Sequence, residues 1–556
     1  MSLKEHNLIA KIALFSAPII YLLISPGFSA EPVDLPKLTV LVFFGFFLVP
    51  YNFSNFKFNF TKNRFLVTIA TLFLTDLTLV LFLSSANLTE QLFGSFGRNT
   101  GYLAYFSLVS IFLFASISAN KDFASKSLVT LIWCGTLTVI YGMLQTFKAD
   151  PIKWSNPYNP ILGFVGNPDF AASFLAMSAL ATLIYFFKQD ISISKKYFIF
   201  IQVGLELFLI VRSKAIQGLM VFFAGLAIII FIFLTKSYLK KAWQIGTYLV
   251  FSILSGATVL FGTLNIGPLA HFLYKTSVRQ RGFYWDAATN MMQKHPAFGV
   301  GLDNYGSWYL SSRSLNAAQL SPTTMTNTAH NVFLDIGSNG GFPLFILYIT
   351  LNVYVLVVSI KKLSKDQQFD WIYSAVFTVW IGYTLQSIVS INQLGLAVWG
   401  WLFMGLLLGM AKNSESINNG ALKQPFKISK GKSKSSSTLL LSSIVFGVAG
   451  LLIAGSSFIN DHNYMKAINS RNAENIINAV NAKPLDLNRI MQAAKMLASS
   501  NLREQALALS KTVVNHNPRS IEGWRAIQAL TTSGSIDFKI AEEKIKILNP
   551  NENLNK

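Results

Sequence analysis

Arginine is scarce in this sequence, and its placement is informative. Before Asn460 there are six: Arg64, Arg98, Arg212, Arg279, Arg281 and Arg313. A guanidinium is a rigid, permanently charged fork that grips phosphate oxygens through two parallel hydrogen bonds. Several of them facing one compartment point to a phosphate-bearing or strongly anionic ligand; arginines scattered over loops are the alternative. Arg279 and Arg281 lie two apart in SVRQRGFYWDAATNMMQKHPAFGVGLDNYG (277–306). That stretch reads as an amphipathic helix along a membrane surface, with Trp285 at the interface, followed by a turn-rich strap. His330, in TNTAHNVFLD (326–335), stands where a polar stretch gives way to an apolar helix. A histidine has a pKa suited to accepting a proton from a hydroxyl, although a polar residue at a helix start needs no such role. Arg98 lies in the glycine-rich FGSFGRNTG (93–101), a loop able to fold back over a site.

Other residues bear on the same chemistry. GFVGNPDF (163–170) predicts a tight turn, then Asn167 as N-cap, Pro168 at the first helical position and Asp169 in the first turn. Amides exposed there suit an anion, which Asp169 opposes. His295, beside Pro296, reads as structural. Asp76, Glu206 and Asp335 fall in apolar runs, where carboxylates invite a transporter reading. They do not cluster on the discontinuous midplane helices that transporters favour. Glu206 stands six residues before Arg212, and Asp335 five after His330, so each is expected to support its neighbour. No His, Asp and Glu cluster has metal-ligand spacing. The single cysteine, Cys134, excludes intrachain disulfides and cysteine-rich metal sites.

The elements that hold these residues are helices in a membrane. Of 556 residues, 52% are hydrophobic and only 13% charged, about half the charge of a soluble protein. The mean hydropathy is +0.45. Apolar segments recur in series, each long enough to cross a hydrocarbon core of about 30 Å. Thirteen spans are expected, near 9–27, 37–51, 64–85, 102–119, 127–147, 168–187, 197–211, 215–235, 243–264, 332–360, 371–391, 394–411 and 438–459. The first shows no cleavage site for a signal peptidase. Lysines fill alternate connections, so the positive-inside rule predicts a cytoplasmic N-terminus and an extracytoplasmic C-terminus. Every arginine before Asn460 except Arg64 then faces outward, against that trend. The net charge of +21 is explained by these lysines rather than by nucleic acid.

The expected fold is all-α: a polytopic membrane domain over 1–411 with a large outer loop at 265–331, a basic linker at 412–437, a last span at 438–459, and an extracytoplasmic helical domain over 460–556. Within that tail Pro484, Pro518 and Pro550 recur at 34 and 32 residues, with Ala506 and Trp524 placed as a tetratricopeptide repeat would place them. A plain helical bundle is the other reading. A repeat array would present a groove to a protein partner.

Taken together and in order, Arg281 to Trp285, HPAFGVGLDNY (295–305), AHNVFLD and IGSNGGFPL (336–344) resemble the O-antigen ligase and polymerase superfamily. FGSFGRNTG and VGNPDFAASFLAM extend the likeness across most of 90–410. The resemblance implies a bacterial cytoplasmic-membrane glycosyltransferase. It would move a glycan, without metal or other cofactor, from a polyprenyl diphosphate carrier to an acceptor hydroxyl on the outer face. It maps the catalytic arginine onto Arg281, with Arg279 a near-equivalent, and the catalytic histidine onto His330. A further family arginine falls in IVRSKAIQGL (210–219), where Lys214 takes the motif position and Arg212 lies two before it. Arg212, Lys214 and Arg98 are expected to bind the diphosphate. Lipid, glycan-end and protein acceptors all share these motifs, so ligation, polymerisation and protein glycosylation stay open. A polysaccharide flippase or a scaffold for the tail are the readings of another class.

Overall fold

The computed structural model describes residues 3–154, 161–186, 191–238, 276–366, 368–418 and 438–552, with isolated positions between 243 and 270. Most of the expected span at 243–264 and of the expected linker at 412–437 lies outside the described residues. The described elements are helices, and nine of them are long and apolar enough to cross a membrane. In lipid every backbone polar group must be satisfied within the chain, which leaves the helix as the economical solution. The bundle buries Leu, Ala and aromatic side chains inside, while Phe53, Phe82, Trp133, Phe200, Phe223 and Leu452 stay exposed. An apolar outer surface is what a chain solvated by lipid at mid-height requires.

Asparagine starts many of these helices. Asn63, Asn87, Asn120, Asn167 and Asn331 each accept a hydrogen bond from a backbone N–H of the turn that follows. This satisfies one of the orphan donors at a helix start. Asn167 and Pro168 therefore sit as the sequence predicts, with Gly166 in the left-handed region before them.

Two boundaries differ from expectation. The first span is two helices, Leu3–Leu14 and Ser16–Leu22. Pro18 has no N–H to give the Leu14 carbonyl, which permits the break. The last span continues as one helix, Thr438–Ser470, so the limit drawn at residue 459 falls inside it. Its lower part packs on Asp34–Ser54, and its extension begins the tail, which continues as helices Ala473–Val480, Leu487–Ser499, Arg503–His516, Ile521–Leu530 and Ile536–Leu548.

Following the chain up and down, lysine-bearing turns gather at one end of the bundle. There Lys121 pairs with Asp370 at 2.8 Å, Lys362 with Asp366 at 2.7 Å, and Lys62 bonds Asn413. The opposite end collects the loops at 84–101 and 161–167, the turn at 213–215, the segment 276–331 and the tail. Arg98, Arg281 and His330 are therefore positioned at the end away from the lysine turns, with Arg64 at the lysine end.

The tail is anchored to this end. The Glu31 backbone N–H donates to Asp461 Oδ2 at 2.9 Å, and Arg489 lies 3.7 Å from Asp461 Oδ1. His462 stacks on Phe28 with ring centroids 3.7 Å apart. Ile521 and Leu548 of the tail share one apolar cluster with Tyr305, Tyr309 and Leu310 of the large loop.

Candidate active site

His330 comes just before the cap of helix Val332–Lys365, with its backbone in the left-handed region at φ 52°. Its N–H donates to Thr328 Oγ1 at 3.2 Å, and Nδ1 lies 3.1 Å from the same hydroxyl. The Tyr284 ring covers it, with centroids 5.2 Å apart. Nε2 takes no hydrogen bond among the described residues. Burial pushes the imidazole down to about 4, helped by the nearby charges of Arg98 and Arg281. His330 is therefore neutral at pH 7, with one nitrogen held and the other open.

Arg98 is placed by a fold of the glycine-rich loop over the large loop. The buried Asp303 carboxylate accepts the Ser95 N–H at 2.7 Å and the Thr100 N–H at 3.2 Å. Charged acceptors make the stronger backbone hydrogen bonds, so one side chain closes the loop. Arg98 Nε then donates to Asn327 Oδ1 at 3.2 Å, three residues before His330. Beneath it lies a small cavity of about 20 Å³, room for a water, lined by Arg98, Asp303, Thr328, Asp335 and Asn339.

Arg281 and Arg279 share helix Thr276–Lys294 but not an environment. Arg279 is exposed, whereas Arg281 is half-buried. Burial lowers the Arg281 pKa, and nearby Asp169 and Tyr284 oppose the shift. The turn 163–170 thus faces Arg281 with a carboxylate. Its helix start is not an open anion site.

The glycine-rich continuation after His330 has a packing reason. At Gly341 (φ 79°) the helix Val332–Lys365 kinks, and the strap runs across the kink. Phe342 N–H donates to Pro296 O at 2.9 Å, and Val300 N–H to Ser338 O at 2.9 Å. A Cβ at Gly341 would sit 2.6 Å from Pro296 O. The strap is thereby fixed on the helix that carries His330.

Several expected roles change. Asp335 does not reach His330: its Oδ1 accepts the Ala329 N–H at 2.6 Å and holds the backbone beside the histidine. His330 precedes the helix, so helical spacing does not apply to the pair. Glu206 does not orient Arg212. It is buried and accepts from Gln202 Nε2 at 2.9 Å, while Arg212 is exposed at the end of the same helix. Six residues is about one and two-thirds turns, which puts them on different faces. Lys214 is exposed with φ 57°, so neither residue of that turn is brought against His330 by a described contact. Arg313 is buried and bonds Ser321 O, Pro322 O and Asn549 Oδ1, so it docks the tail and is not free for a ligand. Trp285 packs within the large-loop cluster, and His295 sits edge-on to Trp308 at 4.5 Å.

Asp303, Asn327, Thr328 and Tyr284 complete the site and were not singled out in the sequence. All four lie inside quoted motifs, but residue type alone does not distinguish them. The roles of Asp303, Asn327 and Tyr284 come from partners far along the chain, whereas Thr328 acts on His330 two residues away.

Fold and site together define a multi-pass helical membrane protein with two arginines and a neutral histidine gathered at one end of the bundle. Residues 198–349, which contain Arg281 and His330, match the model of the O-antigen ligase domain. The chain thus carries an O-antigen ligase domain over that segment, which supports an O-antigen ligase- or polymerase-like membrane enzyme. No curated protein gives a significant match to the chain.

Proposed function

We propose that the protein transfers a glycan from a polyprenyl diphosphate carrier to an acceptor hydroxyl at the outer face of the cytoplasmic membrane. The observation that carries this reading is the neutral His330, with Nε2 open, set between Arg98 and Arg281. The acceptor oxygen attacks the anomeric carbon and forms the new glycosidic bond. The bond from that carbon to the diphosphate oxygen breaks, and its electron pair leaves with the diphosphate. His330 Nε2 takes the hydroxyl proton. Arg281 and Arg98 stabilise the charge growing on the leaving oxygens, where fixed cations lower a barrier most. The exposed Arg279, with Arg212 and Lys214 in their turn, supplies positive charge for capture of the donor.

The free enzyme carries a base of about 4, weak for this task. Its basicity depends on what lies beside it. A bound diphosphate offsets the charges of Arg98 and Arg281, which raises the imidazole pKa towards its ordinary value. Donor binding therefore prepares the base. Metal chemistry is not required in this scheme, because the arginines do the work of a Lewis acid on the leaving group.

The tail, read as two to three tetratricopeptide-like hairpins, belongs to the same face. It is suited to hold a glycan, lipid or protein acceptor near the large loop. In a transporter the arginines would line a path open to both ends; the cluster found here faces one end, which supports the enzyme.

The test is transfer by the purified protein supplied with a lipid-linked donor and an acceptor glycan. His330→Asn and Arg281→Met are expected to lose transfer while inserting and folding normally. Wild-type rates in both variants would overturn the mechanism.

A further inference from the structure

Between the tail and the large loop lies a cleft of about 170 Å³. One wall is tail, contributing Asn488, Ser520 and Glu522; the other is formed by the glycine-rich loop, contributing Ser95, and by the large loop, contributing Asn304 and Asn327. The opening is half polar in character and is not an apolar groove for a helix. Its side-chain amides and hydroxyls can both donate and accept. A sugar ring presents hydroxyls of the same double nature.

The charges in the cleft select against an anion. Glu90, Asp303 and Glu522 all line it, Glu522 being paired with Lys495. Arg519, the cation among them, is already engaged. Its guanidinium lies 3.4 Å over the Trp308 ring and donates to Ser307 O and Ser311 Oγ. Glu90 is pushed up to about 7 by burial, with Asp486 and Asp303 adding to it, so its carboxyl carries a proton at mildly acidic pH. A neutral carboxyl donates a hydrogen bond as well as accepting one. Ser95 Oγ is buried and has no hydrogen-bond partner among the described residues. An unpaired buried hydroxyl in a cleft wall is an unfavourable arrangement that a ligand hydroxyl would relieve.

The cleft also joins the site already described. Asn327 lines it and holds Arg98 Nε through Oδ1. Asp303 lines both the cleft and the small cavity under Arg98. A ring seated here would lie next to the segment that ends in His330.

We propose that this cleft is a subsite for a neutral sugar ring of the glycan, built jointly by the tail and the large loop. The proposal rests on the glycan-transfer reading for its biological sense. The tail is then a wall of the substrate site and not a separate docking module.

The test is binding to the full-length protein in detergent, followed by saturation-transfer NMR. The probes are short neutral gluco-, galacto- and manno-oligosaccharides, with a serine-rich neutral peptide as comparison. At least one sugar series is expected to bind. Asn488→Trp from the tail wall and Met325→Trp from the loop wall should each weaken that binding by about tenfold or more, at unchanged unfolding temperature. His330→Asn should bind the same sugar normally while failing to transfer. That outcome separates the subsite from the mechanism, since the cleft can be verified even if transfer itself is refuted. Binding of the peptide without any sugar overturns the proposal. So does sugar binding unaffected by both tryptophan variants, or no binding of any probe.

Discussion

Acid titration of His330 probes the site without altering a residue. Burial and then the charges of Arg98 and Arg281 bring the imidazole from 6.5 to about 4. At about 1.4 kcal/mol per pH unit, the environment disfavours the imidazolium by roughly 3 kcal/mol. The profile of kcat/KM reports the free enzyme and that of kcat the loaded one. The acid limb of kcat/KM is therefore expected near 4. The limb of kcat should lie higher, because diphosphate charge in the loaded site offsets the two arginines. Arg98→Met removes one of those cations and should move the kcat/KM limb upward by part of the gap. Stability has to be followed in parallel, and its sign is fixed. The folded pKa lies below the unfolded one, so the unfolded chain takes up a proton first. The contribution is intact above pH 6.5 and is lost as pH falls from 6.5 towards 4. Transfer rates from a lipid-linked donor, measured across this range with native fluorescence as a fold check, decide the matter. A kcat/KM limb at 6.5, or a limb that Arg98→Met leaves in place, refutes the electrostatic account of His330.

His330→Asn should lower kcat by about a hundredfold or more with no loss of stability, since asparagine tolerates the left-handed backbone. His330→Ala at φ 52° should be destabilised by about 1 kcal/mol as well, which thermal unfolding would detect. Arg281→Met should reduce kcat by about a hundredfold, whereas the exposed Arg279→Met should act mainly on KM for the donor; steady-state kinetics with equal kcat losses would contradict the assignment. Transfer should persist at its full rate after exhaustive EDTA treatment, and a loss restored by a divalent cation would show a metal requirement. Arg519→Ala removes its stacking on Trp308 and its bonds to Ser307 and Ser311, worth about 2–3 kcal/mol together. Faster hydrogen exchange across both Tyr305–Ser312 and Ile521–Leu530 is the expected readout, and unchanged exchange would argue against this anchor.

The helices were legible because an apolar run of spanning length has few alternatives in lipid. Their exact ends were less so. The helix Thr438–Ser470 outlasts its apolar run, because hydropathy marks where lipid ends and not where helical bonding ends. In the site, His330 and Arg281 could be found from residue type and position, and the structure brings them within electrostatic reach of each other. Arg98 was found from a weaker signal, a glycine-rich loop. What closes that loop, Asp303, lies 208 residues from Ser95 in sequence. No periodicity encodes such a contact. Arg313 was grouped with ligand arginines because counting by compartment cannot see a buried partner such as Asn549. Asp335 and Glu206 were paired by spacing, and in both cases the local backbone or helix face decided otherwise.

A base held near 4 beside two arginines looks poorly suited to its task until the order of events is considered. In the proposed reaction the arginines serve the leaving group, and in the absence of a donor their charge adds to the burial that depresses His330. A bound diphosphate offsets the arginines' share of the depression and leaves the share due to burial. In the proposed mechanism, activation of a hydroxyl is thus tied to the presence of a donor, and an unloaded site has little power to deprotonate water or a stray acceptor. Asp303 makes this coupling depend on the fold, because it sets the loop that carries Arg98. It also faces the cleft whose other wall is the tail. A tail displaced from the large loop would then disturb Arg98 and, through it, the proton affinity of His330, linking a distant domain to the chemistry by charge and not by contact with the reacting atoms.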